Sequence, residues 1–587
     1  MTGSGLGGTS LINANVVEPP ESAFFLDEVW PKEIRSEIAD KLFDKYFEKV
    51  REVLKPTKYN KDLNCPTKTQ SFDILANAAN FKSESTNIAV NLDREGYNEF
   101  GVYQNKCVEC GNCITGCNVG AKNSLEMNYL PLAKKNGAEI FTKCKVVYFE
   151  KTKNGYRVFY TRLNQTNLDF KDLCFVDCRN LILSAGVVGS TTIMMKTQSI
   201  TGLEFSSMLG RNISLNSGNI GGLYNTPIEV NNIGKGVKNT DNSKKLGIGP
   251  TITRIVKIRD GKGKLKHVIE DATMPSCLSF IAPFWFSAAA INMFHWDILH
   301  PKNILAMLLD YSFLSDLRAT KKTQILLSVG HDLSKGQMDF IIKNDDYLNG
   351  YVDLKWSGIK DQKSYYDQKK SIKFLAESAS SFCIDSRAVG NKPISVHILG
   401  GCAMGDHIKV GVVDHIGRVF SPELKNSVYD GLYILDGSII PKSVGINPLM
   451  TISALAERSM DKIVESLESD PKLNVSSLPF NLRSLIEDGD SIELTEEAGG
   501  HLHYFKNSNR TKSYSNRIFI QIKFKINCLQ SFLNDQNKKL EISGFVDSPF
   551  IGNKKNHFVS SCSTFFGEDE RQQHLKLITF MYRNFNN

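Results

Sequence analysis

Residues 432–463, LYILDGSIIPKSVGINPLMTISALAERSMDKI, constrain the fold more than any other stretch. The run ending at Asp436-Gly437 is an apolar strand, and glycine at its end lets backbone approach a ligand closely. Asn447-Pro448 then opens a helix, with proline tolerated at the first turn, good helix formers after it and apolar positions recurring along it. A helix tip carries about half a positive charge and free N–H groups, so it stabilises a negative group placed there. Upstream lies His397-Ile-Leu-Gly-Gly-Cys-Ala-Met-Gly405. A histidine and an asparagine converging at a helix tip suit removal of a hydroxyl proton and orientation of the substrate oxygen.

The rest of the chain repeats this style of architecture. The apolar run NLILSAG stops at Gly186 and is followed by the helical VVGSTTIMMKTQ, the pattern of a buried parallel strand with its helix. AEIFTKCKVVYFEK and GYRVFYTRL, within 138–185, alternate as strands do. KEIRSEIADKLFDKYFEKVREVL, within 21–60, has helical periodicity with i,i+4 charge pairs. Leu125 to Ala133 also reads as a helix. From about 480, alternation such as Ile518, Ile520, Ile522, Phe524 and Ile526 marks a β-rich module over 485–587.

With 587 residues, roughly three to four domains are expected, or one large enzyme with sub-domains. Hydrophobic residues at 41% and charged residues at 23% exclude disorder as the main state. The net charge of +8 is spread without a run of five or six basic residues, so no nucleic-acid partner is expected. The start, MTGSGLGGTSLINANVVEPP, has neither the basic nor the apolar region of a signal peptide. Ala272 to His295 lacks Lys, Arg, Asp and Glu. It reads first as a buried segment or pocket wall and second as a surface that docks on a bilayer. A cytoplasmic or peripheral-membrane location follows as the expectation.

Four of thirteen cysteines stand in Cys107-Val-Glu-Cys110-Gly-Asn-Cys113-Ile-Thr-Gly-Cys117. C-x2-C-x2-C-x3-C is the spacing of ferredoxin-type [4Fe–4S] ligands. Asn118 replaces the proline usual in ferredoxins. Free or structural thiols are the leading reading; an iron–sulfur cluster and a zinc site are the alternatives.

The pair H-x-L-G-G-C-x-M-G and D-G-S-x-I-P-x-S-x-G-x-N-P-x-x-T-I-x-A-L-A-E-R resembles the C-terminal signature of the glucose–methanol–choline (GMC) oxidoreductases, and most of all their cholesterol oxidase-like branch. The glycine loop Gly3 to Asn13 is similar to the family's second flavin-contacting loop, and GAKNSLEMNYLPLAKKNGAEI and LILSAGVVGSTTIMM match as well. The resemblance covers about residues 1–465. It implies FAD as cofactor and hydride transfer from an alcohol carbon to flavin N5, with O2 or an electron carrier as acceptor and a sterol among the candidate alcohols.

Residue by residue, His397 matches the active-site histidine and Asn447 the asparagine beside the flavin. Asp436, Gly437, Pro448 and Leu449 match flavin-contacting positions, and Gly5, Gly7, Gly8 and Asn13 match the loop along the flavin. Val146 matches a position whose backbone touches the adenine end. Glu457 and Arg458 read as helix-surface or structural charges, His407 and His415 as loop or solvent-facing residues. Cholesterol oxidases place a catalytic glutamate for isomerisation where Ser279 stands here; Glu270 and Asp271 lie upstream, out of register. The resemblance therefore does not carry the isomerase half-reaction.

The expected fold class is α/β with an α+β substrate domain: a FAD/NAD(P)-binding-like flavoprotein fold lacking its first βαβ unit, plus the β-rich module. The expected division is a flavin domain over 1–224 with an inserted Cys-rich segment at 101–135, and a substrate domain with a mixed sheet over 225–395. Residues 396–470 return to the flavin domain. No G-x-G-x-x-G loop after an apolar strand occurs near the start, so weak FAD binding is expected. The alternatives are a non-catalytic homologue that binds no FAD, or a flavin plus iron–sulfur dehydrogenase.

Overall fold

The computed structural model describes residues 5–563 apart from 60–64, 164–169, 236–246, 280–281, 283–317, 344–345, 385–392, 423–426, 469–491, 505–513, 527–538 and 548–555. It separates into two compact units, Met1–Ser469 and Asp470–Asn587.

In the first unit, the apolar strand Leu181–Leu183 runs parallel to Ser427–Ile434, with Leu432 opposite Leu181, and Ser427–Ile434 pairs antiparallel with Arg418–Ser421. Leu183, Leu432 and Ile434 are buried; Ile182, on the edge strand, is 39% exposed. Both parallel strands stop at the same end, where the Leu435 N–H donates to the Leu183 carbonyl at 3.0 Å. One leads into the helix Gly186–Thr201 and the other into Asp436-Gly437. The crevice beyond the carboxyl ends of parallel strands is where ligands bind in such sheets.

The helix Leu449–Glu468 buries Met450, Ala454, Leu455 and Ile463 and packs on Asp44–Leu54. The periodicity over 21–60 resolves into two helices, Lys32–Ala39 and Asp44–Leu54. Lys41 turns to φ 59°, and the Leu42 and Phe43 N–H groups fold back onto the Glu37 carbonyl. The break lets Ile34 and Ile38 share one core with Tyr46, Phe47, Val50 and Leu54. Similarly, 125–133 is a single turn, Leu125–Met127, then a helix, Tyr129–Lys135, started by the Asn128 side chain accepting from the Tyr129 N–H.

A second sheet has six strands in the order Phe382–Ile384, Asn219–Tyr224, Gln324–Gly330, Leu265–Ala272, Arg254–Arg259, Ser83–Ser85. Every pair in it is antiparallel rather than mixed, and two of its strands come from outside 225–395. Antiparallel pairing follows where strands connect without crossover helices.

Alternation along Leu265–Ala272 decides what each side chain meets. Ile269 faces a cluster with Phe72, Leu75, Ile372 and Leu375 from the helices Thr67–Ala78 and Lys363–Ser378. Val268 faces the other way, with Val329 and Leu327, into the main core. Asp271 and Glu270 therefore point to opposite faces, although they are neighbours in sequence. Asp271 is neutralised by buried Lys68 and accepts from the N–H groups of Thr253 and Arg254 at 2.7 Å.

The Cys144–Thr152, Gly155–Leu163 and Phe170–Cys178 strands form an antiparallel meander. Among the described residues no helix is long and apolar enough to cross a membrane. Most of Ala272–His295 lies outside the described residues. The second unit is a four-stranded antiparallel meander of Ile492–Tyr504, Tyr514–Ile526, Lys539–Asp547 and Asn556–Ser563.

Candidate active site

One short segment, Ser214–Ser217, organises the two signature stretches. Ser214 and Leu399 exchange both backbone hydrogen bonds at 2.9 Å. Ser395 Oγ donates to the Leu215 carbonyl and accepts from the His397 N–H at 3.0 Å. On the other side, the Asn216 side chain accepts from the N–H groups of Val444 and Gly445 and donates to the Ile446 carbonyl at 2.7 Å. His397 and Asn447 are thus both fixed from the same backbone. Buried Asp332 anchors that backbone, accepting from Ser214 Oγ, the Leu215 N–H and the Ser217 N–H. Six bonds, three to the Asp332 carboxylate and three to the Asn216 amide, leave the segment little freedom. Nothing in the local sequence around Asn216 or Asp332 announces this role, because their partners lie more than a hundred residues away.

Asn447 is buried, and its Nδ2 lies 3.3 Å from Glu270 Oε2. Glu270 is itself fully buried, and burial pushes its carboxyl up to about 8 against the opposing hydrogen bond from Asn447, with the Asp271 and Glu18 charges adding. The sequence shows Glu270 only as an acid upstream of Ser279; its proximity to Asn447 is tertiary. Asn447 Oδ1, Glu270 Oε1, His397 Nδ1 and Thr451 Oγ are enclosed with no hydrogen-bond partner among the described residues. Buried polar groups are ordinarily satisfied, so the open valences on Asn447 and Thr451 at the helix start, on Glu270 beside Asn447 and on His397 are candidate positions for a ligand to complete the bonding. His397 is partly buried, and burial pulls its imidazole down to about 4. It is neutral at pH 7 and can accept a proton.

Asp436 is positioned by the strand end. Its Oδ2 accepts from the Gly186 N–H at 2.9 Å and from Ser190 Oγ, and its Oδ1 accepts from the Ser438 N–H at 2.8 Å. Gly437 follows, with its carbonyl accepting from the Gly400 N–H at 3.1 Å. The signature stretches around 397–405 and 436–439 are thereby laced together. Pro448 and Leu449 stand at the tip of the Leu449–Glu468 helix.

The glycine loop turns through Gly7 at φ 101° and Gly8 at φ 56°, conformations open to glycine. The Gly8 N–H donates to the Gly5 carbonyl. The Asn13 carbonyl accepts from buried Lys122, whose ammonium burial pulls down to about 8. Ser10 Oγ accepts from the Leu125 N–H, and Tyr129 donates to Glu457 on the 449–468 helix at 2.6 Å. The loop and the helix are therefore joined through residues 122–129. Val146 stands apart, paired with Tyr160 in the meander.

The cysteines 107, 110, 113 and 117 line one apolar pocket with Gly111, Asn112 and Lys122. Cys107 Sγ accepts from the Glu109 N–H and Cys117 Sγ from the Ala121 N–H. Among the described residues no three His, Cys, Asp or Glu side chains are grouped to hold a metal ion. Burial pushes the Cys107 thiol up to about 12. The iron–sulfur alternative thus gains no support.

Arg458 is a structural rather than a helix-surface charge, and His415 stands in a turn, as expected. Arg458 is fully buried, pairs through two nitrogens with Glu37, and donates to the His415 carbonyl. Arg458 is thus closed off from solvent, while His415 stays partly exposed.

Comparison with known proteins agrees with the lettering of these motifs. The chain is 29% identical over 388 residues to a cholesterol oxidase of Acinetobacter baumannii, covering 62% of this chain and 63% of that one. It is 26% identical over 498 residues to a cholesterol oxidase of Mycobacterium tuberculosis, covering 78% of each. It is 24% identical over 395 residues to a long-chain-alcohol oxidase of Arabidopsis thaliana, covering 62% and 47%. An FAD-dependent oxidoreductase of Chaetomium thermophilum superimposes with a TM-score of 0.47 at 14% identity, over 80% of this chain and 87% of that one. The GMC oxidoreductase N-terminal pattern matches residues 1–216 and its C-terminal pattern residues 360–456, together just over half the chain. The chain belongs to the GMC oxidoreductase family, whose cholesterol oxidase-like branch it resembles.

Proposed function

We propose that this chain oxidises the CH–OH group of an alcohol, with FAD as its oxidant. The observation that carries this reading is the set of enclosed, unpartnered polar atoms on Asn447 and Thr451 at the start of the 449–468 helix and on His397, whose backbone is tied to the same 214–217 segment as residues 444–446. That donor and acceptor set fits a flavin ring and a substrate hydroxyl. Gly5, Gly7, Gly8, Asn13, Asp436, Gly437, Pro448 and Leu449 would hold the cofactor. The free N–H groups of the helix tip suit its electron-rich edge, and Val146 is the candidate at the adenine end.

A bound FAD would supply the acceptor for the hydride from the carbinol carbon. The chain's own residues handle the proton and the oxygen. His397, neutral at pH 7, takes the hydroxyl proton on a ring nitrogen. Asn447 orients the hydroxyl oxygen through its amide. Asn447 is buried and His397 partly so, and the lowered polarity around them strengthens each interaction. O2 or an electron carrier would reoxidise the flavin.

The similarity to a cholesterol oxidase and to a long-chain-alcohol oxidase supports apolar alcohols as the proposed substrate class, with a sterol as the first choice. The full chain purified with FAD should show bound flavin. Anaerobic cholesterol or 1-dodecanol should bleach its visible band. A flavin-loaded chain bleached by neither, with no oxygen uptake, sinks the reading.

A further inference from the structure

The cysteine-rich loop takes no part in the proton and hydride steps. Its four sulfurs line one pocket and all four are free thiols. Within it, Cys110-Gly-Asn-Cys113 is a C-x-x-C stretch held from two sides. On one side the Lys235 N–H donates to the Cys110 carbonyl, the Asn112 amide donates to the Lys235 carbonyl, and Asn112 Oδ1 accepts from the Ser276 N–H, each at 2.8 Å. On the other side Lys122 donates to the Cys113 carbonyl at 3.2 Å and to the Asn13 carbonyl, in the glycine loop, at 2.8 Å. Gly111, at φ 74°, is wedged between them: a Cβ there would stand 2.8 Å from the methyls of Ile248 and Thr273.

We propose that Cys110 and Cys113 are a modification site for hydrogen peroxide, which converts their thiols to a disulfide, and that closing this disulfide pulls Asn112 off the Ser276 N–H and loosens residues 273–278. Cys113 attacks first: its thiolate takes one peroxide oxygen, the O–O bond breaks, and the departing hydroxide leaves as water with the proton the thiol gave up. Cys113 is then a sulfenic acid. The Cys110 sulfur attacks the Cys113 sulfur, the S–S bond forms, the S–O bond breaks, and a second water leaves with the Cys110 proton. Two thiols are oxidised by two electrons and one peroxide is reduced to two waters. Lys122 is the cation facing Cys113 and Cys117, and it stays mostly protonated at pH 7 although burial pulls it down to about 8. A positive neighbour favours the attacking thiolate. Burial holds the Cys110 thiol above its ordinary value, which suits the resolving role. Cys107 and Cys117 are held instead on the N–H groups of Glu109 and Ala121. Cys110 is half-buried and Cys113 is 8% exposed, an opening suited to an oxidant little larger than water. Peroxide is also the product wherever O2 takes up the two electrons of alcohol oxidation. A disulfide brings its sulfurs to about 2 Å. Gly111 has no room to give way, so the adjustment falls on Asn112.

Added hydrogen peroxide tests this on the full chain without any alcohol, so the outcome does not depend on alcohol oxidation. Treated protein is quenched in acid and unfolded, its free thiols are alkylated, and the thiols released by reduction are alkylated with a heavy reagent. Fragment masses should place the heavy label on Cys110 and Cys113 alone, and dithiothreitol before the quench should erase it. Cys110→Ser should leave Cys113 as a sulfenic acid that dimedone traps, whereas Cys113→Ser should leave Cys110 reduced. Heavy label on any other pair overturns the proposal, as do four thiols untouched by peroxide or iron bound to them in the purified protein. The wild-type labelling decides this even if neither variant folds. Hydrogen exchange reads the second half. The Ser276 amide should exchange about tenfold faster after oxidation, the loss of one hydrogen bond, and equally fast in unoxidised Asn112→Ala. A Ser276 amide indifferent to oxidation overturns the link to Asn112.

Discussion

Arg458 and Glu37, 421 residues apart, form a two-pronged ion pair with the guanidinium fully buried. Burial works against the Glu37 charge, but the Arg458 hydrogen bond and charge, with Lys462, hold its carboxyl below the usual range. The pair ties the helix whose tip forms the site to the first helical hairpin. Arg458→Ala should destabilise the fold by about 3–5 kcal/mol, because it strands a partly buried carboxylate and a buried His415 carbonyl. Arg458→Lys should cost less. Thermal unfolding of the three proteins measures this. Since the folded Glu37 is depressed, its contribution is present above the ordinary carboxyl range and is lost as pH falls through the lowered value.

Glu270 has the opposite sign. Its carboxyl is raised to about 8 in the folded chain from an ordinary 4.5. Its contribution to stability is full below about 4.5 and is lost as pH rises through 8. Glu270→Gln, which never ionises, should therefore melt above the wild type at pH 9 and level with it at pH 4. Melting curves at the two pH values decide it.

Replacing His397 should lower turnover by about a hundred- to ten-thousandfold, the range of a lost general base. Flavin content should not change. Because burial brings the imidazole down to about 4, the acid limb of kcat/KM should lie below pH 5 rather than near 6.5. A limb near 6.5 that disappears in His397→Gln would show instead that the ring is well solvated during turnover.

Asp436 accepts from Gly186, Ser190 and Ser438. Asp436→Ala leaves these buried donors unmatched, at about 1–3 kcal/mol for each unsatisfied group. It should lower both the melting temperature and the flavin content of protein refolded with FAD. Asp436→Asn should rescue the Ser438 bond but not the Gly186 bond, where an amide can face donor to donor.

The thiols of Cys107 and Cys402 are both pushed up to about 12 by burial. Neither should react with a thiol reagent at pH 8 in the folded chain, and both should react after denaturation. Iron and sulfide analysis of the same protein should find neither element. Iron and acid-labile sulfide in stoichiometric amounts would reverse the reading of Cys107, Cys110, Cys113 and Cys117.

The sequence by itself determined the local pieces of this protein and its family. An apolar run with a glycine stop, an Asn-Pro helix start and a glycine loop are written in consecutive residues, and short-range physics fixes what they form. The strand Leu181–Leu183, the helix Gly186–Thr201 and the helix Leu449–Glu468 were legible on those grounds. Only the tertiary structure decided which polar groups meet. Alternation sends Asp271 to Lys68 and Glu270 to Asn447, a choice of face that no single-strand pattern reveals. The Asn216 and Asp332 clamps work across separations of 115 to 230 residues. The burial of Arg458 needs a second helix to cover it. Charge state follows the same rule, since a carboxyl is raised or depressed by what surrounds it in space, and a sequence shows only what stands beside it in the chain.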